Sequence, residues 1–121
     1  MMHRSKRVMI ADDDPGILDC LSIMLEYDGY EVSSTLNGAN LLRLGDDLPD
    51  LLLLDTWMSG VDGRDVCAYL KGNEPTKKIP IIMISASKDV EASALQAGAD
   101  AFLEKPFEMD DLLSKVEQYI G

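Results

Sequence analysis

A chain of 121 residues with 22 acidic against 11 basic side chains, net charge -11, has the length of one domain. Such a chain can bury roughly two-thirds of its unfolded surface. The charge argues against nucleic acid or an anionic membrane as a direct partner and favours cations and basic protein surfaces. A composition that is 46% hydrophobic excludes a disordered chain, and no apolar run approaches the ~18 residues of a membrane span.

The N-terminal "MMHRSKR" is basic, but the apolar stretch after it is too short for a signal peptide, and the expected location is the cytoplasm. His3 lies in this tail and offers no internal phosphohistidine. "RVMIA" (7–11) is a short apolar run, read as a buried strand, and it runs directly into Asp12, Asp13 and Asp14. Asp14 suits a helix N-cap, with a place in a metal shell as the rival reading, and Pro15 suits the first helical turn. Ile17, Leu18, Leu21, Met24 and Leu25 recur at helical spacing until Gly29. "YEVSS" (30–34) alternates like a strand, and "GANLLRLGDD" (38–47) predicts a short helix.

"DLLLLD" (50–55) is a solid apolar run closed by a carboxylate, "SGVDG" (59–63) is a turn, and "RDVCAYLK" (64–71) is helical up to Gly72. "NEPTKK" is a loop, "IPIIMIS" (79–85) a fourth strand, and "KDVEASALQAG" (88–98) a helix ending at Gly98. "AFLE" (101–104) is a fifth strand broken by "KP", and "EMDDLLSKVEQYI" (108–120) is an amphipathic last helix, first of all core packing. Cys20 and Cys67 have no metal-ligand spacing and read as two reduced core thiols. Five strands, each followed by a helix, predict an α/β fold: a five-stranded parallel sheet covered on both faces, with right-handed crossovers.

In such a sheet, ligands bind beyond the carboxyl ends of the strands. Those ends carry Asp12 and Asp13, Asp55, Ser85, and Lys105 with Pro106. Carboxylates a few ångströms apart cost on the order of several kcal/mol at a partly buried site. A hard cation removes that cost, and Mg²⁺ commonly takes one or two carboxylates plus a phosphate oxygen. Asp55, facing that cation, suits a phosphate-accepting nucleophile. Lys105 supplies positive charge, and Ser85 can hydrogen-bond the new phosphoryl oxygen.

"IADDDP", "LLLLDTWMSGVDG", "IIMISAS" and "AFLEKPF" together resemble the receiver domain of two-component response regulators, in order and spacing, from about residue 7 to 119. The resemblance implies a flavodoxin-like doubly wound (βα)5 fold with strand order 2-1-3-4-5. It implies that Asp12, Asp13, Asp55 and the backbone carbonyl of Trp57 bind Mg²⁺. Asp55 is then the phosphorylation site, Lys105 the family's lysine, Ser85 and Phe102 its switch hydroxyl and switch aromatic, and Lys105–Pro106 a cis peptide bond. The implied partner is a histidine kinase or histidine phosphotransfer protein. Phosphorylation switches the surface of the fourth helix, fifth strand and fifth helix toward a downstream protein, with no direct nucleic acid or membrane contact. The chain ends just after the fifth helix, so it reads as a stand-alone receiver or a piece of a longer regulator.

The sequence departs from the family pattern in places. Ser59 stands where similar domains usually carry proline. Trp57 is bulky where they are often polar or small, and it shares with Ser87 the positions that tune phosphoryl lifetime. Ser85 and Lys105 are closer in sequence than in many similar domains, which predicts a shortened fourth helix or preceding loop. Two rival functions follow: a receiver-like interaction module that takes no phosphate, and an aspartyl-nucleophile phosphatase of the haloacid dehalogenase type. The second needs an acid two residues after Asp55, where Trp57 stands.

Overall fold

Apolar runs without a polar face must be covered on both sides, and the chain does this with a parallel sheet between two helical layers. A computed structural model describes residues 6–43, 48–58 and 60–120. Strands β1 (Arg7–Ala11), β2 (Glu31–Thr35), β3 (Leu51–Asp55), β4 (Ile81–Ser85) and β5 (Ala101–Glu104) are all parallel, in the order β2-β1-β3-β4-β5. The helices are α1 (Pro15–Tyr27), α2 (Gly63–Lys71), α3 (Glu91–Gln96) and α4 (Met109–Ile120), with a 3-10 helix over Gly38–Arg43. The parallel sheet covered on both faces is what the alternating elements predict, and the strand order is the flavodoxin-like doubly wound one that the family resemblance implies.

Side chains alternate across each strand, so the run Leu51–Leu54 feeds both layers. Leu51 and Leu53 pack with Leu21 and Leu25 of α1 and Leu112 and Val116 of α4. Leu52 and Leu54 pack with Leu41, with Val66 and Leu70 of α2, and with Ala94 of α3. All of these are buried, and each such side chain contributes roughly 1.5–3 kcal/mol of transfer free energy.

Polar residues fix the helix ends. Asp14 Oδ1 accepts from Gly16 N at 2.9 Å and from Ile17 N at 3.4 Å, capping α1 just before Pro15. That settles Asp14 as a cap. Gly29, at φ 98°, provides the left-handed turn that ends the helix. Asp62 caps α2 through Arg64 N at 2.9 Å. At the far edge of the sheet, Asp100 Oδ2 accepts from Lys71 Nζ at 2.7 Å and from Ile81 N at 2.9 Å, joining the end of α2 to the start of β4.

Several elements differ from their sequence-based expectation. β2 starts at Glu31 and runs to Thr35. The second helix is of the 3-10 type, held at its start by Asn37 Oδ1 accepting from Ala39 N; the rest of the expected segment, 44–47, lies outside the described residues. The turn after Asp55 contains a small antiparallel ribbon pairing Trp57–Met58 with Val61–Asp62. The fourth helical segment divides into a 3-10 turn, Lys88–Val90, and the six-residue α3. Cys20 is exposed and not part of the core, whereas Cys67 is buried. The buried stripe of α1 is Leu18, Leu21 and Leu25. Cys20 stands one residue off that stripe, and at about 100° per residue it turns outward.

Candidate functional site

The strand order reverses between β1 and β3, and the carboxyl ends of these two strands open side by side. Ala11 pairs with Leu54 at the last rung, so Asp12 and Asp55 leave the sheet as neighbours. Asp12 is 2% exposed and Asp55 8% exposed, while Asp13 is exposed. One carboxylate oxygen from each of the three lies within 4.8 Å of the others.

Lys105 reaches this cluster from the end of β5. Its Nζ donates to Asp12 Oδ2 at 3.1 Å and to Asp55 Oδ1 at 3.2 Å. The Lys105–Pro106 peptide is cis, as expected, and the Lys105 amide donates to Ser85 O at 2.8 Å, fixing the backbone from which the side chain departs. Asp12 Oδ1 accepts from Asp14 N at 3.0 Å, so both oxygens of that carboxylate are already held.

The electrostatics follow from burial and crowding. Asp55 is held above the usual carboxylate range, by burial first and by the Asp12 charge next, against the pull of Lys105. Burial draws Lys105 down, but its hydrogen bond to Asp12 and the charges of Asp55 and Asp12 outweigh this, leaving it above the usual lysine value. Three hard oxygen donors with one cation opposite form a set that fits a divalent ion retaining some of its water.

A cavity of about 450 Å³ opens beside Asp55, lined also by Trp57, Arg64, Ser85, Ser87 and Lys105. Ser85 is buried, and its Oγ accepts from Ser87 N at 3.1 Å. Thr56 Oγ1 donates to Ile84 O at 3.0 Å and pins the residue after Asp55 to β4. Trp57 is 61% exposed at the cavity rim. Phe102 is half-buried on β5, paired with Met83 and packed on the core layer that holds α2 and α3. Ser59 lies outside the described residues.

The sequence-derived residues Asp12, Asp13, Asp55 and Lys105 thus converge, and Ser85 shares their cavity. Phe102 sits behind the site, against the core. Two further contributors escaped sequence reasoning. Gly63, within the "VDG" read as a turn and a helix start, lets α2 approach β3, because a Cβ there would collide with Asp55 O. Arg64 lines the cavity, and its only sequence signal is an arginine two residues after a capping aspartate.

Comparison with known proteins agrees with this geometry. The chain is 39% identical over 113 residues to the DNA-binding dual master transcriptional regulator RpaA of Synechocystis, covering 91% of this chain and 47% of that protein. The chain spans about half the length of the first curated relatives it matches. A response regulator structure from Chloroflexus aurantiacus superposes with a TM-score of 0.90 at 30% identity, covering 96% of this chain and 98% of that one. The receiver domain of the Pseudomonas aeruginosa sensor histidine kinase PA1611, with magnesium coordinated in its active-site cleft, gives a TM-score of 0.88 at 25% identity, covering 98% of this chain and 99% of that one. The family described as the response regulator receiver domain matches residues 8–117. An acidic cluster at the switch point, a lysine donating into it and a match of that extent lead to one conclusion: the chain belongs to the receiver domain family of two-component response regulators.

Proposed function

We propose that Asp55 is the phosphoacceptor of this receiver domain and that a histidine kinase or histidine phosphotransfer protein is its donor. The observation carrying this reading is the Lys105 ammonium donating to both Asp12 and Asp55 at the mouth of a solvent-open cavity. Asp12, Asp13, Asp55 and the backbone carbonyl of Trp57 are the residues to hold Mg²⁺. Bound there, the ion neutralises charge on the transferring group.

The remaining work belongs to the chain's own residues. Asp55 presents a carboxylate oxygen to the donor phosphorus. The P–O bond forms as the donor's P–N bond breaks, and the imidazole nitrogen leaves with the bonding pair and takes a proton. Lys105 passes from Asp55 Oδ1 to a phosphoryl oxygen and stays beside Asp12. Ser85 gives up its bond from Ser87 N and donates its hydroxyl to another phosphoryl oxygen. Phe102 follows into the vacated space, which biases the surface made by residues 88–96, β5 and α4 between two states read by a partner protein. The domain assists its own phosphorylation and dephosphorylation through the same groups, and it works in the cytoplasm as one unit across residues 1–121.

The test is intact mass after incubation with Mg²⁺ and acetyl phosphate. One base-labile phosphoryl group is expected, and none on Asp55→Asn. An unmodified mass under all donors overturns the reading in favour of an interaction module.

A further inference from the structure

Arg64 takes no part in the transfer to Asp55, yet it lines the cavity that holds Asp55, Ser85 and Lys105. Its guanidinium is spread over two elements. Nε and Nη2 donate to the two oxygens of Asp62 at 2.9 and 2.7 Å, and Nη1 donates to Ser93 Oγ at 3.1 Å. The Asp62 contact is a charged fork within the capping turn of α2. The Ser93 contact is a bond to a neutral hydroxyl, and it reaches across to α3.

α3 is held lightly. It has six residues, and Ala94 is its buried side chain. It has no side-chain cap, and Val90 at its start is only half-buried. Ser93 Oγ also donates to Val90 O at 2.9 Å, so the hydroxyl links Arg64 to the 3-10 turn preceding the helix. The Arg64–Ser93 bond therefore ties α3 to the start of α2 through a residue that lines the cavity.

A phosphoryl group on Asp55 would place dianionic oxygens in that cavity. Charge-assisted bonds to such oxygens are about twice as strong as bonds between neutral partners, and the planar guanidinium fork matches phosphate geometry. A group can shift a conformational equilibrium only through its differential interaction with the two states, and Arg64 has such a difference available. It can keep Asp62 and exchange the Ser93 hydroxyl for phosphoryl oxygen.

We propose that Arg64 is a positioning residue that carries the phosphorylation state of Asp55 to α3: it holds Ser93 while Asp55 is free and releases it when Asp55 is phosphorylated. The inference rests on Asp55 being the phosphoacceptor. It adds a route to α3 that passes along the α2 side of the cavity and is separate from Ser85 and Phe102.

The experiment uses the full chain with Mg²⁺ and acetyl phosphate. Phosphoryl content is read by intact mass, and amide hydrogen exchange is followed in peptides covering residues 88–97. In the wild type, phosphorylation is expected to speed exchange in this segment by roughly threefold or more. Ser93→Ala, which leaves the Arg64–Asp62 fork in place, is expected to exchange fast before phosphorylation and to change little after it. Arg64→Lys keeps the charge but loses the fork, and it is expected to blunt the response in the same way. Unchanged exchange in phosphorylated wild type, or a wild-type-sized response in phosphorylated Ser93→Ala, overturns the proposal. Absence of any adduct overturns both this proposal and the reading beneath it, and the mass alone reports that case.

Discussion

Lys105 Nζ lies 3.2 Å from Asp55 Oδ1, fifty positions away in the chain, and this contact closes the sheet's carboxyl edge from β3 to β5. The same ammonium neutralises Asp12. Truncating it leaves two buried carboxylates facing each other, and removing one partner of a largely buried charge pair is costly. Lys105→Met is expected to lower stability at neutral pH by about 2 kcal/mol without divalent ions, and by clearly less in excess Mg²⁺. Urea titrations with and without the ion measure both numbers.

Asp55 gives a signed pH dependence. Its folded carboxyl titrates above the unfolded one, because burial and Asp12 disfavour its charge. Folding therefore carries a penalty at neutral pH. The penalty is relieved as pH falls through the raised folded value and is gone below the unfolded value, about 4. Two carboxylates within 4.8 Å repel by roughly 3 kcal/mol at an effective dielectric near 20, most of it offset by Lys105. Asp55→Asn is expected to stabilise the metal-free protein at pH 7 by about 1 kcal/mol, roughly 4 °C in Tm, with the gain fading near pH 4. Thermal melts at the two pH values check it, and an equal gain at both would rule out the buried charge of Asp55 as the cause.

Gly63 separates a steric requirement from a conformational one. A Cβ at this position would collide with Asp55 O and stand 3.1 Å from Thr56 O, both backbone atoms that cannot step aside cheaply. Gly63→Ala is expected to cost about 3 kcal/mol and to weaken Mg²⁺ binding by displacing Asp55. Gly72→Ala, whose Cβ would meet Ala68 O at 3.3 Å at the end of the same helix, is expected to cost under about 1 kcal/mol. Chemical denaturation of the two variants, side by side, decides.

The two thiols should differ sharply in reactivity. Burial pushes the Cys67 thiol up to about 11, whereas Cys20 is exposed beside Ile17 and Phe107 in an apolar groove. Iodoacetamide at pH 8 is expected to label Cys20 alone in the folded protein and both in urea. Peptide mapping distinguishes the sites.

The sheet is legible in the sequence because β1, β3, β4 and β5 are apolar runs too short for helices, and the site because each run ends in a residue able to do chemistry. Where sequence and structure diverge, local preference is weak or tertiary contact decides. Tyr30 and Thr35 both suit a strand, and pairing with Arg7–Ala11 selects 31–35. Gly38–Arg43 has helical periodicity, but periodicity does not distinguish an α-helix from the 3-10 helix that forms here, whose start is held by Asn37. The ribbon at 57–62 is two residues per strand, below the reach of any periodicity. Cysteine is usually a core residue, and only the helical phase of α1 shows that Cys20 faces outward. Arg64 carries no motif, since its meaning comes from Ser93, which only folding brings near.

The doubly anchored Asp12 has a thermodynamic corollary. One of its oxygens is fixed by a main-chain amide and the other by an ammonium, so its rotamer freedom is surrendered during folding and not when a ligand arrives. Ion affinity at this edge should then track the rigidity of β1: substitutions in Val8 or Ile10, remote from any ligand atom, would loosen ion binding in proportion to the stability they remove.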